Sequence, residues 1–143
     1  VKEILSPSAA EKQISISVSG AGFTVMGIRR MLHEVLYNLC DNAIKYNHCG
    51  GNVNIRVHQT LYNAVLSVKD TGIGIPEESR ERIFERFYRV DKSRSKEVGG
   101  TGLGLSIVKH AVMIHNGKIE VKSELGEGTE MIVTIPNKQD INL

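Results

Sequence analysis

The sequence has no tryptophan, three prolines, two cysteines and only 5% aromatic residues among 143 positions. Two cysteines are fewer than the frameworks that staple small secreted domains, and the spacing of Cys40 and Cys49 fits neither a redox pair nor a zinc knuckle. Both read as reduced structural thiols, which favours a cytoplasmic compartment. No run of 18 or more apolar residues exists, so these residues do not cross a membrane as a helix, and no secretory signal is visible. Charge of one sign is also lacking. The net charge is +2 and the basic residues are spread along the chain, whereas a nucleic-acid binder gathers them into a stripe. Internal repeats and low-complexity tracts are absent.

What is present fits one soluble-type domain. Apolar residues make up 41% and charged residues 24%, near globular averages. A chain of this length buries roughly 68–70% of its unfolded surface and needs no metal or disulfide to fold. Its first residue is Val1 rather than Met, as expected of a fragment detached from an N-terminal neighbour.

Ser6-Pro7 reads as an N-cap and first helical position, opening a short helix to about Lys12. Ile14, Ile16 and Val18 alternate with serines at the period of a half-buried strand, and Phe23 to Met26 is expected to pair with it across Gly20-Ala21-Gly22. From Ile28 to Tyr46 the period becomes helical, with Ile28, Met31, Leu32, Val35, Leu39 and Ala43 on one stripe. Strands are expected over 52–58 and 63–69, then short helical turns over 79–87 and a mobile loop over 91–101. A second amphipathic helix runs over 103–115 and stops at Asn116-Gly117. Two more strands, 118–123 and 129–135, flank the Gly126-Glu127-Gly128 turn, with Met131, Val133 and Ile135 on one face. The tail from Pro136 is expected to fray. Strands and long helices in this order predict an α+β two-layer sandwich, with helices covering one face of a sheet.

Three segments carry chemistry. Glu34, Asn38 and Asn42 recur at steps of four, each roughly 40° further around the helix, and Lys45 shares their arc opposite the apolar stripe. A solvated face is one explanation. Asparagine is a poor helix former, however, so two stacked asparagines are a costly route to solubility. Carboxylate and amide oxygens suit a hard cation, and lysine suits phosphate. Asp70-Thr71-Gly72-Ile73-Gly74-Ile75-Pro76 follows a strand. It is either an ordinary turn or a close-approach loop whose aspartate accepts a bond from a ligand amine. Gly99-Gly100-Thr101-Gly102-Leu103-Gly104-Leu105 opens the second long helix, where exposed N–H groups favour anions. Leu105 stands where a P-loop has its lysine, and no third glycine completes a dinucleotide fingerprint.

In this order the segments resemble the histidine-kinase branch of the gyrase, heat-shock chaperone, histidine kinase and mismatch-repair ATPases. HEVLYNLCDNAIKY, ending at Tyr46, looks like the N box. DTGIGIP, Asp70 to Pro76, looks like the first glycine box, and ERIFERFYR, Glu81 to Arg89, like the F box. GGTGLGL, Gly99 to Leu105, looks like the second glycine box, and Ser123 to Pro136 like the terminal hairpin. The resemblance covers residues 14–136, with 1–13 as the end of a linker and 137–143 as a tail. Gly27 is followed by Ile28, where relatives commonly carry an acidic helix cap.

The resemblance implies a mixed sheet of about five strands backed by about three helices, the Bergerat-type fold, with ATP and Mg²⁺ as cofactors. Asp70 would bind the adenine amine, with Tyr46 and Thr129 near the base and Gly72, Gly74 and Ile75 around it. Asn38 would hold the metal, and Asn42 and Lys45 would meet phosphates. Glu34 would orient water or act as acid/base. Arg89 and the lid, with Gly100, Thr101, Gly102, Leu103, Gly104 and Leu105, would approach the terminal phosphates. Phe84, Phe87 and Tyr88 would pack under the near end of the lid. The implied reaction is transfer of the γ-phosphate to a histidine on a separate helical dimerisation domain; no histidine here is that acceptor. A response regulator, a homodimeric full-length protein anchored in the cell membrane and no nucleic-acid partner are implied as well. An anti-sigma-type serine kinase and a non-catalytic ATP-binding module are the competing readings, the first disfavoured by the aromatic FERFYR segment.

Overall fold

The computed structural model describes residues 2–22, 24–90 and 102–137. In chain order these are α1 (Lys2–Glu11), β1 (Ser15–Ser19), α2 (Arg29–Lys45), β2 (Asn52–Gln59), β3 (Asn63–Asp70), a 3₁₀ turn (Glu77–Ser79), α3 (Gly104–Ile114), β4 (Lys118–Glu124) and β5 (Gly128–Pro136). The strands form one sheet in the order β1-β2-β3-β5-β4. β1 runs parallel to β2 and every other neighbouring pair is antiparallel. The expected α+β two-layer sandwich, with its mixed five-stranded sheet and three helices, is the fold the chain adopts.

Period-2 alternation decides which face is covered. Val53 and Ile55 of β2, Ala64 and Val68 of β3, and Met131, Val133 and Ile135 of β5 are buried, while Arg56, Lys69 and Lys122 on the opposite face are exposed. The buried face packs against α2 through Val35, Leu39, Cys40, Ala43 and Ile44, and α3 adds Val108, Ala111 and Val112 to the same core. Burial pushes the Cys40 thiol up to about 12, so it remains an inert packing group; Cys49 is exposed and free.

Four sequence expectations are corrected. α1 begins at Lys2, so Pro7 lies inside the helix rather than at its start. A mid-helix proline forgoes one backbone bond, and the burial of Leu5 and Ala9 against the core offsets that loss. Thr24–Met26 form no strand, and Phe23 is outside the described residues. β1 pairs with β2 because α2 is a crossover that returns the chain parallel to it. Pro136 closes β5 rather than opening the tail, the rest of which, 138–143, lies outside the described residues. Asn137 after it is buried, with its N–H on the Tyr62 carbonyl at 2.7 Å.

The fourth concerns the head of α2. Ile28 is not part of the buried stripe: it is the N-cap, half exposed, with no side-chain cap of its own. His115, just past α3, supplies what is missing. Its Nε2 accepts the Ile28 N–H at 2.9 Å, while Nδ1 lies 2.7 Å from the Ala111 carbonyl. Two bonds of those senses require the neutral ring with its proton on Nδ1. A Cβ on Gly27 would fall 2.8 Å from Nε2, so the glycine gives the ring room.

Candidate functional site

A cavity of about 190 Å³ opens between the C-terminal half of α2, the ends of β3 and β5, and the start of α3. One wall carries Asn38, Asn42, Lys45 and Tyr46 from α2. Asp70, Gly74 and Ile75 follow from the end of β3, Thr129 from β5, Arg89 from the aromatic segment, and Gly102, Gly104 and Leu105 from the head of α3. The structure thus brings together residues far apart in sequence. Glu34, Gly72 and Leu103 are not on the wall. Gly72 stands directly behind Asp70, and Leu103 caps α3. Glu34 lies one turn before Asn38, beside Arg29, Arg30 and His33. Gly100 and Thr101, together with the rest of the loop expected over 91–101, fall outside the described residues.

Asp70 ends β3, where its register partner is Thr129 of β5. Its Oδ1 accepts the N–H of Gly72 at 2.8 Å and of Thr129 at 3.2 Å. Both bonds fall on one oxygen, which leaves Oδ2 for a donor in the cavity. Burial raises the Asp70 pKa to about 6, with those two N–H groups opposing the shift. The turn that makes this possible needs glycine: a Cβ on Gly72 would lie 2.4 Å from the Tyr46 carbonyl. That carbonyl is also fixed, because it accepts the Ile73 N–H at 3.1 Å.

On α2, the Asn38 amide nitrogen donates to the Glu34 carbonyl at 2.8 Å. The bond turns Oδ1 outward, toward Gly104, where a Cβ would come within 3.1 Å of it. An oxygen held in this way suits a hard cation. Lys45 pairs with Asp41 at 2.8 Å, both side chains partly exposed. Gly102 has φ +77°, and a Cβ there would meet the Phe87 backbone at 2.8 Å. Phe87 corrects the expectation for the aromatic segment. Phe84 and Tyr88 pack on the core, but the Phe87 ring is 67% exposed. Phe87 (φ +64°) instead holds the head of α3 by donating its N–H to the Gly102 carbonyl at 2.9 Å.

Sequence reasoning missed the cavity's floor, formed by Leu39, Ala43, Val68, Ile83 and Met131, because an apolar residue facing a ligand has the same periodicity as one facing the core. It also missed Ser123. The Ser123 Oγ accepts the Ile75 N–H at 2.8 Å, donates to the Gly128 carbonyl at 2.9 Å and lies 2.8 Å from Thr129 Oγ1. One hydroxyl therefore ties the first glycine box to the terminal hairpin, and nothing distinguishes it from other strand serines in sequence. Asp41 could have been found from its i,i+4 spacing to Lys45.

Residues 27–139 match the family described as histidine kinase-, DNA gyrase B- and HSP90-like ATPases. The sensor-like histidine kinase SenX3 of Mycolicibacterium smegmatis is 43% identical over 134 residues, which cover 93% of this chain and 35% of that protein. The solved mycobacterial sensor histidine kinase MprB superposes with a TM-score of 0.83 at 32% identity, covering 96% of this chain and 93% of that one. Full-length ShkA, solved in complex with AMPPNP, superposes with a TM-score of 0.80 at 34% identity, covering 94% of this chain and 28% of that one. The chain spans about a third or less of the length of the curated relatives it matches.

Proposed function

The chain belongs to the histidine kinase-, DNA gyrase B- and HSP90-like ATPases, and from that membership we propose that it is the catalytic domain of a sensor histidine kinase, holding ATP with Mg²⁺ in the cavity beside α2. The observation that carries the proposal is Asp70: a half-buried carboxyl on the cavity wall, with Oδ1 tied to two backbone N–H groups and Oδ2 left for a donor, beside the apolar Leu39, Val68, Ile83 and Met131. That arrangement suits a flat base bearing an exocyclic amine. Leu39, Val68, Ile83 and Met131 would cover its faces, with Tyr46 and Thr129 at its edge.

The far end of the cavity suits phosphate. Lys45, Asn42 and Arg89 supply donors, and the N–H groups at the head of α3 favour an anion by about 0.3–1 kcal/mol. Among the described residues no group of three or more His, Cys, Asp or Glu could cage a metal. Mg²⁺ fits such a site because it keeps several waters and is held by one or two protein oxygens plus phosphates. Asn38 Oδ1 would hold the ion, which would supply charge neutralisation in phosphoryl transfer. Glu34 is assigned the positioning of water or the acid/base role from the turn before Asn38. The γ-phosphate passes to a histidine on a helical dimerisation domain, and from there to a response regulator. The full-length protein is proposed to be a membrane-anchored homodimer with residues 14–136 as its cytoplasmic catalytic domain. No helix among the described residues is long and apolar enough to cross a membrane.

Calorimetric titration with ATP, with and without Mg²⁺, tests the binding step. Labelled ATP with the full-length protein's histidine-bearing hairpin, against a small serine-bearing partner, tests the transfer. Binding that requires Mg²⁺ and label on histidine are the expected results. Label on serine, or no binding, overturns the proposal.

A further inference from the structure

The C-terminus of α2 delivers Lys45 and Tyr46 to the cavity. Its Asn42 and Ile44 carbonyls accept the N–H groups of Tyr46 and Asn47 at 3.0 and 3.2 Å, and Lys12, between α1 and β1, supplies further donors to the end of the helix. Its Nζ donates to the carbonyls of Lys45 at 2.7 Å, Ile44 at 3.2 Å and Asn47 at 3.3 Å. The next carbonyl in the turn, Tyr46, accepts the Ile73 N–H of the first glycine box. Lys12 is itself gripped from the same side, since its own carbonyl accepts the Gly50 N–H at 2.9 Å.

From this geometry we infer that Lys12 is a positioning residue for the adenine end of the nucleotide site, and that it couples α1 to nucleotide binding. An ammonium at a helix C-terminus neutralises the partial negative charge of the exposed carbonyls, and three bonds fix where the last turn ends. Tyr46 and its bond to Ile73 inherit that position. The close approach of Gly72 to the Tyr46 carbonyl carries it on to Asp70. α1 is anchored by buried Leu5 and Ala9, so a displacement of α1 moves Lys12 and is felt at Tyr46. The inference rests on the nucleotide site proposed above.

The test measures two quantities on Lys12→Met, Lys12→Gln and Lys12→Arg, well below their melting temperatures: the Kd for ATP·Mg²⁺ by calorimetry, and amide exchange at Ile73. Lys12→Met is expected to weaken ATP about tenfold, equivalent to about 1.4 kcal/mol, and to speed Ile73 exchange, with Lys12→Arg restoring both. Lys12→Gln, which keeps one donor group, serves if the methionine variant fails to fold, with the same changes expected in smaller degree. A fall in thermal stability with Kd and Ile73 exchange unchanged overturns the inference, leaving Lys12 a purely structural cap. Failure of the nucleotide reading is seen separately, as absence of ATP binding in the unaltered chain. The coupling to nucleotide then falls with that reading, and Ile73 exchange shows separately whether Lys12 holds the Tyr46–Ile73 bond, no change in the methionine variant overturning that as well.

Discussion

The Lys45 ammonium lies 2.8 Å from the Asp41 carboxylate, one helical turn earlier on α2. The cation that would meet phosphate is therefore already paired within its own helix. Such a partly exposed i,i+4 pair is worth about 0.3–0.5 kcal/mol, so a polyphosphate can outbid it. Asp41→Asn is expected to tighten ATP by no more than about twofold to threefold. Lys45→Met is expected to weaken ATP about tenfold and AMP far less, because only the longer phosphate chain needs the charge. Calorimetry with both nucleotides checks both outcomes.

Asp70→Asn should separate stability from function. Burial raises the folded pKa of Asp70 from 3.8 to about 6, so the contribution of the neutral carboxyl is fully present below pH 3.8 and is lost as pH rises through about 6. Asparagine keeps an acceptor for the Gly72 and Thr129 N–H groups and carries no charge. At pH 7.5 the variant is expected to be more stable, on the order of 1–3 kcal/mol, with 1.36 kcal/mol per pKa unit as the ceiling. That advantage should vanish below pH 3.8. Its amide nitrogen would face the base's amine, donor against donor, so ATP affinity should fall by about a hundredfold or more. Urea melts at several pH values and a titration decide both points.

Gly102→Ala is expected to damage the head of α3. The position has φ +77°, and a Cβ would meet the Phe87 backbone at 2.8 Å. The left-handed conformation alone costs about 1–2 kcal/mol with a side chain, and the contact forces Phe87 and Gly102 apart. Loss of protection at the Phe87 N–H and weakened ATP binding are the expected readouts, with the far face of the sheet unaffected in amide exchange.

His115→Ala removes the acceptor for the Ile28 N–H. By analogy with lost helix caps it should cost about 1 kcal/mol, seen as fraying of the first turn of α2 and faster exchange at Ile28. Asn38 lies almost three turns further along, so ATP affinity should change little. A large loss of affinity would show that the head of α2 is mechanically coupled to the site.

The sheet-facing alternation of Met131, Val133 and Ile135, the helical stripe through Val35, Leu39 and Ala43, and the Asn116-Gly117 stop were all legible because local periodicity and backbone preference encode them. The polar face of α2 was legible for a different reason: Asn38 and Asn42 sit where helix propensity argues against them. The strand partner of β1, the proline within α1 and the cap on Ile28 were not legible. Each depends on a residue distant in sequence: on β2, on the core beneath Leu5 and Ala9, and on His115.

By itself the sequence determined which polar and glycine residues share one helix face or one turn and which elements would present them, since spacing along a helix or a turn is a short-range property. Only the tertiary structure decided that Asp70 offers one oxygen rather than two, that Lys45 begins paired, that Phe87 works through its backbone, and that Lys12 closes the end of α2. Those are hydrogen-bond and packing choices between segments up to 59 residues apart, as for Asp70 and Thr129. Burial makes each unpaired donor or acceptor costly, and that cost selects the partner only once the layers have closed.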